Sequence, residues 1–318
     1  MRFGIPDVRR CAASLDATDR MLVAFWGFLA CVSLVFSARI PHWRPLLAAF
    51  ALAAAAVCFL ASAARSSPAG WVRSLHDWIA FPLVLFTYKA LYYLIGPIHG
   101  GRDFDRLLIA ADRWLFGTGW PVWLDRIANP LLTELLQIAY TLFYLYFIVV
   151  GLQLYCRRDG SPFRYFRFTS VYGFFLSYIG YFFLPAVGPR FTLHAYSDMH
   201  ADLPGLGLTP LMRRFVDFFE AIPPEATDAV AAAVAQRDVF PSGHTMLTLV
   251  VLWLAYRYRV RARHVLLVAG LLLIVATVYL RYHYLVDVVA GALFALFALG
   301  TAPGLYAGFG EGRPARRE

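Results

Sequence analysis

Apolar residues gather in eight runs along this chain, at 21–38, 45–64, 78–96, 131–155, 168–187, 242–259, 264–280 and 286–306. Each approaches the roughly 20 apolar residues that a helix needs to cross a bilayer core. The pattern therefore predicts an all-α fold, a polytopic transmembrane helical bundle of about eight spans. The short alternating strands of a membrane β-barrel are missing from it. Two stretches between runs keep helical spacing but mix apolar with charged positions: DFDRLLIAADRWLFGTGWPVWLDRIA at 103–128 and TPLMRRFVDFFEA at 209–221. They read as short helices lying in the interface, placed to wall or roof a site. The first run follows a basic stretch, is long enough to span and has no small-residue cleavage site after it, so it reads as an uncleaved anchor.

Composition strengthens the membrane reading. The chain is 60% hydrophobic, 17% aromatic and only 15% charged, which excludes an ordinary water-soluble domain. Its net charge of +9 is almost all arginine, Lys89 being the single lysine. No aromatic–basic motif accompanies the arginines, so no nucleic-acid partner is expected. They cluster in alternate loops instead. Arg2, Arg9, Arg10 and Arg20, then Arg65 and Arg73, then Arg157, Arg158, Arg164 and Arg167, then Arg257, Arg259, Arg261 and Arg263, then Arg313, Arg316 and Arg317 fall on one side. By the positive-inside rule that side is cytoplasmic and holds both termini. The short opposite loops carry Arg39, Arg44 and Arg281, and the long segments 97–130 and 188–240 lie on the outer face. Cys11, Cys31, Cys58 and Cys156 show no paired spacing, which argues against a disulfide framework or a thiolate metal site.

With this topology three polar islands from different helix ends converge on the outer face. The fifth run ends in LPAVGPRF and supplies Arg190; the sixth opens with PSGH and supplies Ser242, Gly243 and His244. The turn between the last two runs, YLRYHYLVD, supplies Arg281, His283 and Asp287. Ionisable groups at membrane depth are costly, so their convergence points to function. The set suits phosphoryl transfer. His283 and Asp287 are four apart, so on a helix they share a face and the carboxylate can accept the imidazole N–H. The other ring nitrogen is then a free nucleophile. Arg190 and Arg281 offer planar forks that match phosphate oxygens. Ser242 and the Gly243 N–H form an anion cradle at a helix N-terminus, and His244 is placed to protonate a leaving oxygen.

Pro241-Ser242-Gly243-His244 followed by His283-x-x-x-Asp287 resembles the type-2 phosphatidic acid phosphatase superfamily of lipid phosphatases and haloperoxidases. The resemblance implies a six-helix catalytic core, His283 as the residue that becomes phosphohistidine, Asp287 as its orienting partner and His244 as the acid. It implies no metal and no cofactor. Two motifs depart from the family: Phe183 stands seven residues before Arg190 where a lysine is usual, with Phe191 after it in place of a proline, and Thr277 takes the place of an arginine ahead of His283. Arg281 is the candidate substitute. The forms GPRF and YLRYHYLVDVVAG, with the lead-in DRWLFGTGWPVWLDRIANPLLTELLQIAY, look more like the branch of inositol phosphorylceramide and sphingomyelin synthases. The implied activity is transfer of a phosphate-containing head group from a membrane phospholipid or polyprenyl phosphate to an alcohol acceptor, with hydrolysis as the alternative. The implied place is a bacterial inner membrane, with the site on the periplasmic face. The expected organisation is 1–77 as accessory spans, 78–306 as the catalytic bundle and 307–318 as a polar tail.

Other readings use other residues. Asp103-Phe104-Asp105 has the form of a metal-holding Asp-x-Asp, as in some glycosyltransferases, but lies where acidic residues favour a helix N-terminus anyway. A transporter would line a path with its arginines and histidines, yet no internal repeat is present. Glu134 reads as an interfacial residue, the TLFYLYF run at 141–147 as packing or lipid-facing surface, and the role of Lys89 stays open.

Overall fold

The computed structural model describes residues 13–312. Arg2, Arg9, Arg10, Cys11 and the tail from 313 on, with Arg313, Arg316 and Arg317, lie outside the described residues. Among those described, all regular structure is helical. In chain order the long elements are α1 (Ala17–Val35), α2 (Trp43–Ser66), α3 (Gly70–Trp78), α4 (Ala80–Ile98), the amphipathic α5 (Asp105–Phe116) and α6 (Trp120–Arg126), α7 (Pro130–Thr141), α8 (Phe143–Tyr155) and α9 (Ser161–Phe183). After α9 come three short pieces, α10 (Pro189–Thr192), a 3₁₀ turn at Tyr196–Asp198 and α11 (Met199–Asp202). The amphipathic α12 (Thr209–Phe219) and α13 (Asp228–Val234) follow, then α14 (Gly243–Arg257), α15 (Arg263–Tyr279) and α16 (Leu285–Gly308).

Every one of the eight apolar runs is helical, but the spans are not uniform. Ala17–Val35, Trp43–Ser66, Gly70–Ile98 and Leu285–Gly308 are long and apolar enough to cross a membrane, and the α7–α8 pair, bent by 49°, passes the same test when taken as one span. The chain is an integral membrane protein on that measure. α14 and α15 have 15 and 17 residues, so at 1.5 Å per residue they fall short of a ~30 Å core. Their missing turns are replaced by the PSGH lead-in and the YLRYHY turn, backbone that is tolerated at such depth only where protein or a cavity surrounds it. α9 is 23 residues long, but Ser, Tyr and Arg side chains dilute it.

Small residues set the packing where motif loops meet helices. A Cβ on Gly291 of α16 would sit 2.5 Å from the Ser242 carbonyl oxygen, so only glycine lets α16 seat against the start of α14. α1 packs on α9 through Phe25 and Phe175, stacked at 4.0 Å, and bonds α4 through Trp26 Nε1–H to Thr87 Oγ1 at 2.9 Å.

At the N-terminal end of α9, buried Arg167 ties the helix starts together. It donates to Asp16, to Asp77 Oδ1 at 3.4 Å, to the Asp77 carbonyl at 3.1 Å and to Thr18 Oγ1 at 3.3 Å. His76 Nε2 meets Asp19 Oδ2 at 2.9 Å beside it. Asp16 also caps α1 in a capping box with Asp19.

Candidate active site

The other end of α9 carries the three motif loops. Ser242 is the N-cap of α14: its Oγ accepts the Thr245 N–H at 3.2 Å, and its own N–H donates to the Asp287 carbonyl at 3.1 Å. A Cβ on Gly243 would lie 2.6 Å from Tyr181 Oη, so the loop is pressed against α9. His244 follows on the first turn. Its ring stacks on Tyr140 at 4.6 Å, touches Phe143 at 4.6 Å and meets the His283 ring at 5.8 Å. The two histidines are brought together, as the sequence suggested.

His283 is in the turn rather than on a helix. α15 closes with Arg281 N–H donating to Val278 O (2.9 Å) and Tyr282 N–H to Thr277 O (3.0 Å), the pattern of a Schellman cap. Thr277 O also accepts the His283 N–H at 2.9 Å. Arg281 takes the left-handed position with φ of 64°, where glycine is usual. Asp287 enters α16 one turn later and its Oδ2 accepts the Tyr284 N–H at 2.8 Å. That leaves His283 Nδ1 and Asp287 Oδ2 3.6 Å apart, in contact but beyond hydrogen-bond range. His283 Nδ1 and Asp287 Oδ1 are buried without partners. The expected i,i+4 hydrogen bond on a shared helix face is therefore not formed, because the carboxylate is capping α16. Burial lowers the His283 pKa to about 4, with Asp238 and the Val239 backbone acting against the shift.

The two arginines part company. Arg281 turns away from the histidines to Asp202 Oδ2 (2.6 Å) and Asp125 Oδ1 (2.9 Å), the αL backbone directing its side chain there. The structure does not place it as a phosphate ligand beside His283. Arg190, only 2% exposed, lies on the Tyr282 ring at 4.8 Å and the Phe191 ring at 4.5 Å. Tyr282 stacks on Tyr140 at 4.3 Å. A continuous ladder thus runs from His244 through Tyr140 and Tyr282 to Arg190. The arginine fork is occupied by two carboxylates of α12 and its cap, Asp217 at 3.3 Å and Glu220. Burial works against the Arg190 charge, yet Glu220 holds its pKa above the ordinary value. Burial raises the Glu220 pKa, with Asp238 and Asp217 adding to the rise and Arg190 opposing it.

The remaining polar residues are framework. Asp105 accepts from Gly188 N–H (2.8 Å), Val187 N–H (3.1 Å) and Tyr284 Oη–H (2.8 Å), clamping the Arg190 loop to the His283 turn. Gly188, at φ of 98°, leaves room for the Tyr282 carbonyl, which a Cβ would meet at 2.9 Å. Asp112 caps α16 by accepting from Val286 N–H at 2.7 Å, and Glu134 caps α12 through Leu206, Leu208 and Thr209. Lys89 Nζ donates to the Phe219 carbonyl at the end of α12. Asp103 pairs with Arg237 at 3.0 Å. Among the described residues Asp103 and Asp105 form no metal-ligand group; Asp16, Asp19 and His76 do bring ligand atoms within 4.8 Å, but Arg167 bonds into that cluster. Tyr140, Tyr282, Glu220 and Asp238 went unnoticed in the sequence. The signal for Tyr282 was its place inside YLRYHY; aromatics inside apolar runs, such as Tyr140, give none.

Two cavities meet at the Arg190–Glu220 pair. One, about 790 Å³, is lined by Arg190, Tyr196, Arg213, Asp217 and Tyr282. The other, a chamber of about 60 Å³, holds His244, Tyr88, Tyr140, Tyr144, Glu220 and Asp238. A family model described as PAP2 superfamily matches residues 106–301. The chain belongs to the PAP2 superfamily. Arg190, His244, His283 and Asp287 of this PAP2 protein all lie within the match. It is also similar to a PA-phosphatase related-family protein of Dictyostelium discoideum, 28% identical over 248 residues, which cover 66% of this chain and 41% of that protein. The chain thus spans well under half the length of that relative. No solved structure matches it.

Proposed function

We propose that this PAP2 protein moves the phosphate-bearing group of a membrane lipid, with His283 as nucleophile and His244 as acid and then base. The observation that supports it most is the meeting of two histidines from separate motif loops at 5.8 Å, joined by an aromatic ladder to a buried arginine. In the first half-reaction neutral His283 forms an N–P bond while the lipid P–O bond breaks, and the departing oxygen takes a proton from His244, which enters this step as imidazolium and leaves it neutral. In the second, an acceptor alcohol gives its proton to His244 as its oxygen attacks phosphorus, and the P–N bond breaks. His283 attacks through its neutral ring. Asp287, 3.6 Å away, takes the Nδ1–H as the site tightens on substrate. Arg190 leaves Asp217 and Glu220 for the equatorial oxygens, and the Gly243 N–H at the start of α14 completes the cradle that Ser242 caps. Arg281 is assigned to holding the turn.

The forms GPRF and YLRYHYLVDVVAG favour an alcohol acceptor, as in head-group transferases. The description of the Dictyostelium relative favours water, hence hydrolysis. Purified protein incubated with a head-group-labelled phospholipid, with and without alcohol acceptors, separates them. Labelled acceptor is the expected product, label released only as free phosphate marks a phosphatase, and intact donor in both arms refutes the reading.

A further inference from the structure

Below the histidine chamber the bundle has a second opening. A groove of about 410 Å³ lies between α4 and α8 with Phe174 of α9 behind it, and its walls include Trp78, Phe81, Val84 and Ile148. Its volume is within the ~300–1,000 Å³ range of ligand sites. Tyr144 lines both this groove and the chamber that holds His244, so the two spaces share a wall at one side chain. Ile148 of that wall is exposed, as are Leu145 and Leu152 beside it, so the groove opens on the face that hydrocarbon surrounds in a membrane. At the far end Trp78 forms its wall together with Leu75 and Ile79. That indole lies over Gly151, where a Cβ would come within 2.8 Å of the ring. Trp78 is also braced by Phe81, Tyr155 and Phe163 at 5.7, 5.8 and 5.2 Å.

We propose that this groove holds one hydrocarbon chain of the lipid whose phosphate is handled at His283, and that Trp78 sets the length it accepts. This rests on the phosphotransfer reading above and adds a specificity element to it. From Tyr88 in the chamber wall to Ile79 at the groove's far end, α4 rises ~14 Å at 1.5 Å per residue. That is close to half of a ~30 Å hydrocarbon core, the depth of one leaflet. A chain entering from the bilayer leaves surroundings as apolar as the groove itself, so no hydrophobic gain accompanies entry. Selection is therefore steric: a chain that fits lets its phosphate reach the histidines, and one that overruns Trp78 does not.

The test uses a series of phosphate esters with short to long single chains and reads the ratio of kcat/KM for long over short. Ile148→Trp, at an exposed wall position, fills the groove and should lower that ratio about tenfold, the discrimination typical of a few methylenes. Trp78→Ala opens the end and should move the optimum to longer chains. An unchanged ratio in both variants, each eluting as folded protein, overturns the proposal. A second measurement needs no turnover: a long-chain phosphate with a diazirine at its tail should crosslink to Phe81 and Ile148. Label spread evenly along α8, with Leu152 equal to Ile148, means ordinary surrounding lipid and also overturns it. Crosslinks in the groove without turnover of any ester would leave the groove standing and refute the phosphotransfer reading.

Discussion

At one end of α9 Arg167 binds two carboxylates, two carbonyls and a hydroxyl. At the other end Arg190 leans on aromatic rings and two carboxylates of a single amphipathic helix, while His283 Nδ1 and Asp287 Oδ1 stay buried and unpartnered. Both regions bury charge in a bundle that has little to spare. They differ in satisfaction. Native proteins leave few buried polar atoms without partners, because each costs about 1–3 kcal/mol. The saturated end acts as a fastener that joins α1, the α3–α4 junction and α9. The unsaturated end leaves His283 Nδ1 and Asp287 Oδ1 without partners, 3.6 Å separating the ring nitrogen from the other carboxylate oxygen.

The contrast can be broken most sharply at its unsatisfied end. His283→Ala should lower kcat by about 10⁴-fold or more with the fold intact, read as turnover per mole of protein that elutes as a single species. Retained turnover would make the empty valences structural. Arg167→Ala attacks the opposite end and should reduce stability by about 3–5 kcal/mol, since it strands Asp16 and Asp77. Its readout is the thermal midpoint, with turnover per folded molecule held. Acid gives the same end a second test. Burial works to raise the Asp16 pKa, but Arg167 and the Asp19 N–H pull it below the unfolded value of 3.8. Its stabilisation is then full above that value and is lost as pH falls through the lower folded one. The midpoint should drop in that window for the parent protein and stay flat for Arg167→Ala.

Smaller effects sharpen the picture inside the histidine end. Arg190→Lys should cost about 10²-fold in kcat, because an ammonium cannot replace the planar fork. Arg281→Lys should act on the thermal midpoint and spare kcat. Equal kcat losses would return Arg281 to the phosphate. Glu220→Gln should tighten competitive inhibition by inorganic phosphate about tenfold, since it frees Arg190. In the parent protein that inhibition should strengthen as pH falls through the raised Glu220 pKa, because protonation weakens the same contact. The glutamine variant should lose this pH dependence.

Much of the architecture was legible because membrane helices announce themselves by length and apolarity, and 103–128 and 209–221 by amphipathic spacing. The bend between α7 and α8 was hidden: an unbroken apolar run at 131–155 carries no mark of a 49° turn. The histidine pair was legible because polar residues opening an apolar run are rare. The fate of Arg281 was not. Its direction follows from a left-handed backbone at a helix end, where the sequence offers arginine rather than the glycine that signals such a cap. Tyr140 and Tyr282 were silent for the opposite reason, since aromatics are common everywhere in this chain.

Asp105 receives three donors from the two loops that deliver Arg190 and His283. If the proposed activity holds, a random mutagenesis screen for its loss would return this aspartate, which acts through the loops it joins. Swapping either loop from a homologue without the matching acid would misalign its neighbour, so the pair is a single heritable cassette for anyone engineering this chain.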